Sequence, residues 1–179
     1  MSRQLYGERM SIMALEFLPV KTEAEVTALA GLAKLIWKEY FVRIITPEQI
    51  NYMLNKFQSV PALTDQIENQ GYEYYFISRD GVKMGYTGIK AEAGKLFLSK
   101  LYILKEYRGQ GYASKTFDFL DGLCASRGLK AIWLTVNRNN KNSIAVYEKK
   151  GFKIVHAQVT DIGNGFVMDD YVMEKALSN

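Results

Sequence analysis

Arg108-Gly109-Gln110-Gly111-Tyr112-Ala113 joins two segments of different character. Leu96 to Leu104 before it reads as a mostly buried strand, and Ala113, Phe117, Leu120 and Cys124 after it recur at helical spacing until Gly128. Gly111 therefore stands where strand becomes helix. Glycine lets a backbone approach a ligand closely, and the first N–H groups of a helix lack intrahelical partners. The helix dipole also favours negative charge there, so the stretch is a cradle for a phosphate or pyrophosphate. A plain tight turn with a solvated arginine has the same letters, so the neighbouring segments decide. A dinucleotide fingerprint needs a third glycine and a later acid, and an ATPase phosphate loop ends in Gly-Lys-Ser/Thr. Neither pattern is present.

Ala131 to Val136 forms a second apolar strand, Asn137 to Asn142 a polar turn, and Ser143 to Lys150 a short helix closed by Gly151-Phe152. The order strand, cradle, helix, strand, Asn-rich turn, helix resembles the GNAT superfamily of acyl-CoA-dependent N-acetyltransferases. That family's pyrophosphate loop, Arg/Gln-x-x-Gly-x-Gly/Ala, is matched in register by Arg108, Gly111 and Ala113. Its second pattern, Asn-x-x-Ala-x-x-x-Tyr-x-x-x-Gly-Phe, is matched by Asn140, Tyr147, Gly151 and Phe152, with Ser143 in place of alanine. The resemblance spans residues 15–176.

The resemblance implies transfer of an acetyl group from acetyl-CoA to a primary amine, small or polyamine-like, by direct attack. It also implies two central parallel strands that splay apart, with Leu101, Tyr102 and Ile103 beside the pantetheine arm. The pyrophosphate falls to Gly109, Gln110, Gly111, Tyr112, Ala113 and Ser114, largely through backbone groups, with Arg108 alongside. Asn140 falls to the cofactor's amide region and Tyr147 to the role of general acid. A phenol with a pKa of about 10 stays protonated at neutral pH and can donate to a departing thiolate. Backbone N–H groups near Ile103 would stabilise the oxyanion. Each residue also has a plainer role: Arg108 pairing with Glu106, Asn140 capping a helix, Tyr147 filling the core. Lys141 and Lys149 are solvated lysines or ribose-phosphate contacts.

The general base is where the chain departs from the family. Many members place a glutamate on the cradle strand or the next one, and Ser99 and Thr135 stand there. A water chain, an amine arriving deprotonated, or a carboxylate from Glu39, Glu92, Asp169 or Asp170 is left, although each acid also reads as a surface residue. His156, the single histidine, reads as structural or exposed. The missing glutamate keeps a second function open, a catalytically silent acyl-CoA sensor; ATP binding at the cradle is a third. Tyr52-Met-Leu-Asn-Lys-Phe57 before Tyr72–Lys90 is similar to bacterial spermidine/spermine acetyltransferases. An aminoglycoside-like amine, a protein N-terminus or a lysine fits as well.

Composition bounds the rest. The 179 residues are 48% hydrophobic and 23% charged, which suits one domain over 15–176 after an N-terminal extension at 1–14. No apolar run approaches the ~20 residues of a membrane span, and Met1 to Met13 has no signal-peptide core, so a cytoplasmic setting is expected. The net charge of +4 is spread along the chain, unlike a nucleic-acid-binding face. One histidine and one cysteine offer no metal-ligand set, and Cys124 reads as a buried structural thiol.

Leu15–Val20 is expected as a first strand, followed by a helix opened by the capping box Thr22-x-x-Glu25 and running to Tyr40. Thr46-Pro47 opens a helix to Gln58, and Pro61–Asn69 forms a short third. Tyr72–Arg79 and Val82–Lys90 pair through Asp80-Gly81; Phe152–Val159 and Phe166–Glu174 pair through Asn164-Gly165. The result is an α/β (α+β) fold with a mixed sheet of about seven strands and helices on both faces. Only the step from the cradle strand to Ala131–Val136 demands parallel neighbours. Phe166, Val167, Tyr171 and Val172 offer a surface for a homodimer, or ordinary core packing.

Overall fold

The computed structural model describes residues 14–178; the extension expected at 1–14 lies outside the described residues except for Ala14. Strand β1 (Glu16–Pro19) leads into helix α1 (Glu23–Tyr40), α2 (Pro47–Phe57) and α3 (Val60–Glu68). The capping box forms as read: the Glu25 N–H donates to Thr22 Oγ1 at 3.3 Å and the Thr22 N–H to Glu25 Oε2 at 2.9 Å. Thr46 caps α2. Ser59 caps α3 from one residue earlier than expected, because Pro61 sits inside the first turn rather than at its first position.

Strands β2 (Tyr72–Arg79), β3 (Val82–Glu92) and β4 (Lys95–Ile103) follow as an antiparallel meander. After the cradle come α4 (Tyr112–Arg127), β5 (Ala131–Asn137), α5 (Lys141–Lys149), β6 (Lys153–Gly163) and β7 (Phe166–Ala176). The three hairpins turn on Asp80-Gly81, Ala93-Gly94 and Asn164-Gly165, each a pair of residues with positive φ, which matches the right-handed twist of the flanking strands. Among the described residues, seven strands run β1-β2-β3-β4-β5-β7-β6, and β4–β5 is the one parallel pair.

Both faces of the sheet are covered, as strand alternation requires. Tyr74 and Phe76 of β2 pack against Val26, Leu29 and Ala33 of α1. Their neighbours Tyr75 and Ile77 face the other way, where Tyr75 meets Phe119 and Ile77 meets Tyr112 of α4. Cys124 is fully buried among Leu120, Ile132 and Met173, and that burial pushes its thiol up to about 11, as befits a structural cysteine. His156 is exposed on β6. The proposed dimer surface is divided: Val172 is buried in the sheet and Val167 is half-exposed.

Two irregularities of β4 position everything that follows. Gly88 pairs with Lys100 while Ile89 pairs with Leu98, so Ser99 is an extra residue, a bulge. The bulge shifts the alternation by one: Leu96 and Leu98 face α4, and so do Leu101 and Ile103. Lys100 and Tyr102 are thereby turned to the α1 face. β4 also pairs with β5 only at Leu96–Ile132 and Phe97–Trp133, whereas β5 stays paired with β7 along its whole length. Beyond Phe97 the two parallel strands separate, as expected.

Candidate functional site

The separation opens a cleft of about 850 Å³ between α1, α2, the splayed strands and α5. Its floor includes Leu101, Tyr102 and Ile103, and the edge of β4 that would pair with β5 is unpaired over these residues. Unpaired strand backbone is what an amide-bearing arm such as pantetheine can bond.

At one end lies the cradle. Gly109 and Gly111 have φ of 74° and 82°, conformations that favour glycine, and Gly111 is the N-cap of α4. Four of the five α-helices carry a side-chain cap, from Thr22, Thr46, Ser59 and Asn140. α4 has none, so its first-turn N–H groups keep their capacity for an anion. Gly109 and Ala113 line the cleft. The side chains of Gln110, Tyr112 and Ser114 turn elsewhere: Gln110 Nε2 donates to the Glu106 carbonyl, Tyr112 is buried beside Ile77 and Ile103, and Ser114 Oγ accepts from Lys150 Nζ. Lys150 is thus brought to the first turn of α4.

Arg108 is not paired with Glu106. Its Nε donates to the Ile103 carbonyl at 2.8 Å, its Nη2 to Glu39 at 2.6 Å, and its guanidinium lies 4.9 Å from the centre of the Tyr40 ring. The side chain closes the loop onto α1, a long-range partner that local spacing cannot reveal. Glu39 is thereby removed from the list of free carboxylates.

Asn140 is 7% exposed and lines the cleft. Its Oδ1 accepts from the Tyr40 hydroxyl at 2.7 Å and from the Ser143 N–H at 3.3 Å, so it caps α5 while its amide nitrogen stays available. Tyr147 follows two turns later and also lines the cleft, its ring edge-on to Phe117 at 6.1 Å and against Phe152 at 5.8 Å. Burial, then the nearby Tyr40 phenol, push its pKa well above the usual tyrosine value, so the hydroxyl keeps its proton.

Of the four acids open as bases, three are engaged elsewhere. Glu39 holds Arg108, Glu92 lies 3.6 Å from Lys90, and Asp169 lies 2.6 Å from Arg138. Asp170 is different, and the expectation that it lies on the surface fails. It is 4% exposed, lines the cleft, and has no hydrogen bond or ion pair with a described residue. Burial, then its neighbour Asp169, push its carboxyl up to about 6. Alternation along β7, paired through Asp170 with Asn137 of β5, turns one of two adjacent aspartates inward. Ser99 and Thr135 also line the cleft, and neither is a base.

Lys100 and Gln58 carry no expectation from sequence, yet both line the cleft. Lys100 Nζ donates to Ser99 Oγ at 2.9 Å and lies 5.5 Å and 5.4 Å from the ring centres of Tyr72 and Tyr74. Gln58, just past α2, is 2% exposed and hydrogen-bonded to Tyr86 at 3.3 Å.

The match to known proteins follows this geometry. The family model described as "Acetyltransferase (GNAT) family" matches residues 29–152, from α1 to the Gly-Phe after α5. An uncharacterized N-acetyltransferase of Mycobacterium tuberculosis is 28% identical over 134 residues, 74% of this chain and 85% of that one. A spermidine N(1)-acetyltransferase of Thermoplasma acidophilum is 24% identical over 161 residues, 88% of this chain and 97% of that one. In structure, the PaiA N-acetyltransferase of T. acidophilum, solved with coenzyme A, superposes with a TM-score of 0.74 at 23% identity, covering 92% of this chain and 99% of that one. The uncapped cradle, the splayed strands and the matched segment make this chain a member of the GNAT acetyltransferase family, enzymes that draw their acetyl group from acetyl-CoA.

Proposed function

We propose that the protein acetylates a small primary amine, with Asp170 as proton acceptor and Tyr147 as proton donor. The observation that carries this is their shared cleft at the open end of the β4–β5 gap, one side chain holding a proton and the other able to take one. Acetyl-CoA supplies an activated thioester carbonyl. An incoming ammonium is drawn to the Asp170 carboxylate, which removes its proton so that the nitrogen lone pair can attack. Tyr147 protonates the departing thiolate, the second proton of the attacked nitrogen passes to the phenolate, and Asp170 releases the first to solvent. Free backbone N–H groups of β4 near Ile103 stabilise the oxyanion, and the first turn of α4, with Lys150, holds the pyrophosphate.

Asp170 answers the missing strand glutamate, which was the ground for a silent sensor. The name of the T. acidophilum relative supports an amine acceptor. No helix among the described residues is long and apolar enough to cross a membrane, and the lone buried thiol suits the reducing cytoplasm. The test is calorimetry with acetyl-CoA joined to a thiol-release assay over a panel of primary amines. Binding with turnover of at least one amine is expected. Binding with none turned over would support the sensor instead.

A further inference from the structure

Five charged side chains line the cleft: Lys56, Asp65, Lys100, Arg108 and Asp170. Three are satisfied within the protein. Lys56 Nζ donates to the Ile162 carbonyl and to Tyr52, Asp65 accepts from the Asn69 and Gln70 amides, and Arg108 holds Glu39. Asp170 and Lys100 are less fully held: the Asp170 carboxyl has no hydrogen bond or ion pair with a described residue, and Lys100 Nζ has one hydrogen bond, to Ser99 Oγ. The cleft therefore contains one anion whose side chain has no partner and, apart from it, one cation with spare donors.

A second donor stands on the same cleft wall. The indole N–H of Trp37 can only donate, and it donates to the Tyr86 hydroxyl at 3.2 Å. The Tyr86 proton is then directed to Gln58 Oε1 at 3.3 Å. This chain gives the Tyr86 proton an acceptor when the Gln58 amide oxygen faces it. Gln58 Nε2 is left buried with no acceptor among the described residues, and a buried unpaired donor calls for an acceptor, from a water or from a ligand.

We propose that the acceptor is an amine that also carries a carboxylate, its ammonium taken by Asp170 and its carboxylate by Lys100 and Gln58. This rests on the acetyl-transfer reading and narrows its substrate class. An amino carboxylate gives the Asp170 carboxylate a partner and supplies the oxygen acceptors that Gln58 Nε2 and the two unused Lys100 N–H bonds lack. A polyamine does the reverse, bringing a second cation toward Lys100. Burial pulls the Lys100 ammonium down to about 7, and a bound carboxylate would restore its charge. The Tyr72 and Tyr74 rings beside Nζ hold it in place.

The test compares lysine with cadaverine, ornithine with putrescine and β-alanine with its carboxamide, with spermidine added. Thiol release is measured as kcat/KM, and calorimetry follows binding of the same compounds to the protein–CoA complex. The carboxylate partner is expected to be favoured at least about tenfold, because a site built for a polar group rejects its absence. Lys100→Met is expected to collapse that ratio toward one and Lys100→Arg to keep its sign. Unaltered melting and acetyl-CoA binding report that the fold is intact. Preference for cadaverine or spermidine, or an unchanged ratio in Lys100→Met, would overturn the carboxylate site and leave acetyl transfer standing. Binding of the amino carboxylates without thiol release would support the site and sink the acetyl-transfer reading. No binding and no turnover of any carboxylate partner would overturn the inference.

Discussion

The Tyr40 hydroxyl, at the last residue of α1, donates to Asn140 Oδ1 at 2.7 Å and ties α1 to the cap of α5. The same hydroxyl lies 3.2 Å from Ser143 Oγ, and its ring underlies Arg108. One phenol thus touches the Asn140 cap, the first turn of the Tyr147 helix and the side chain that closes the cradle. Tyr40→Phe removes the hydroxyl and keeps the ring. It should cost about 0.5–1.5 kcal/mol of stability, since a hydrogen bond is lost while the Ser143 N–H keeps its cap. Denaturant unfolding checks this. A rise in KM for acetyl-CoA should accompany it, as Asn140 loses the bond that fixes it.

Tyr147→Phe should leave acetyl-CoA affinity nearly intact and lower turnover on the order of tenfold or more, because the interaction removed is the one proposed with the departing sulfur. Burial holds the phenol in its protonated form, so Tyr147 should add no descending limb to the rate profile up to about pH 10. Steady-state kinetics with thiol detection checks both. An unchanged kcat removes Tyr147 from the mechanism.

Asp170 gives the pH dependence. With its carboxyl pushed up to about 6, kcat/KM should climb as pH rises through 6, as the carboxylate forms. Asp170→Asn should abolish that limb and lower kcat by on the order of a hundredfold or more. Stability should run the opposite way. The folded form holds this proton more tightly than the unfolded chain, whose ordinary value is 3.8. The contribution is therefore complete below about pH 4 and lost as pH rises through 6. Melting curves across that range should fall less steeply in Asp170→Asn than in the wild type.

Much of the fold was written locally. The cap at Thr22, the turns at Asp80-Gly81 and Asn164-Gly165 and the glycine that opens α4 each declare themselves within a few residues, and all form as read. What escaped depends on register and distance. The Ser99 bulge is faintly visible as apolar residues that keep even positions at Leu96 and Leu98, then odd ones at Leu101 and Ile103. Only strand pairing shows that this break turns Lys100 into the cleft. Asp169 and Asp170 are chemically the same, and the register of β7 on β5 decides which is buried. Arg108 meets Glu39 because α1 folds over the cradle, a juxtaposition across the length of the chain.

Gly85 and Gly31 separate two uses of glycine. In β3, Gly85 faces Ile103, and a Cβ there would lie 2.2 Å from the Tyr102 carbonyl oxygen and 3.0 Å from the Ile103 Cα. Backbone cannot rotate away as a side chain can, so β4 itself must shift at the residues that line the cleft. Gly85→Ala should destabilise by about 1–3 kcal/mol and weaken acetyl-CoA binding together, because the displaced strand carries the unpaired edge proposed for the pantetheine arm. In α1, Gly31 has nothing within 4 Å of its added Cβ and lies in a regular helix. Gly31→Ala should stabilise by about 0.5–1 kcal/mol through helix propensity, with acetyl-CoA affinity unchanged. Paired unfolding and calorimetry on the two variants check this; the same sign of stability change in both would mean that β4 yields more readily than its contacts indicate.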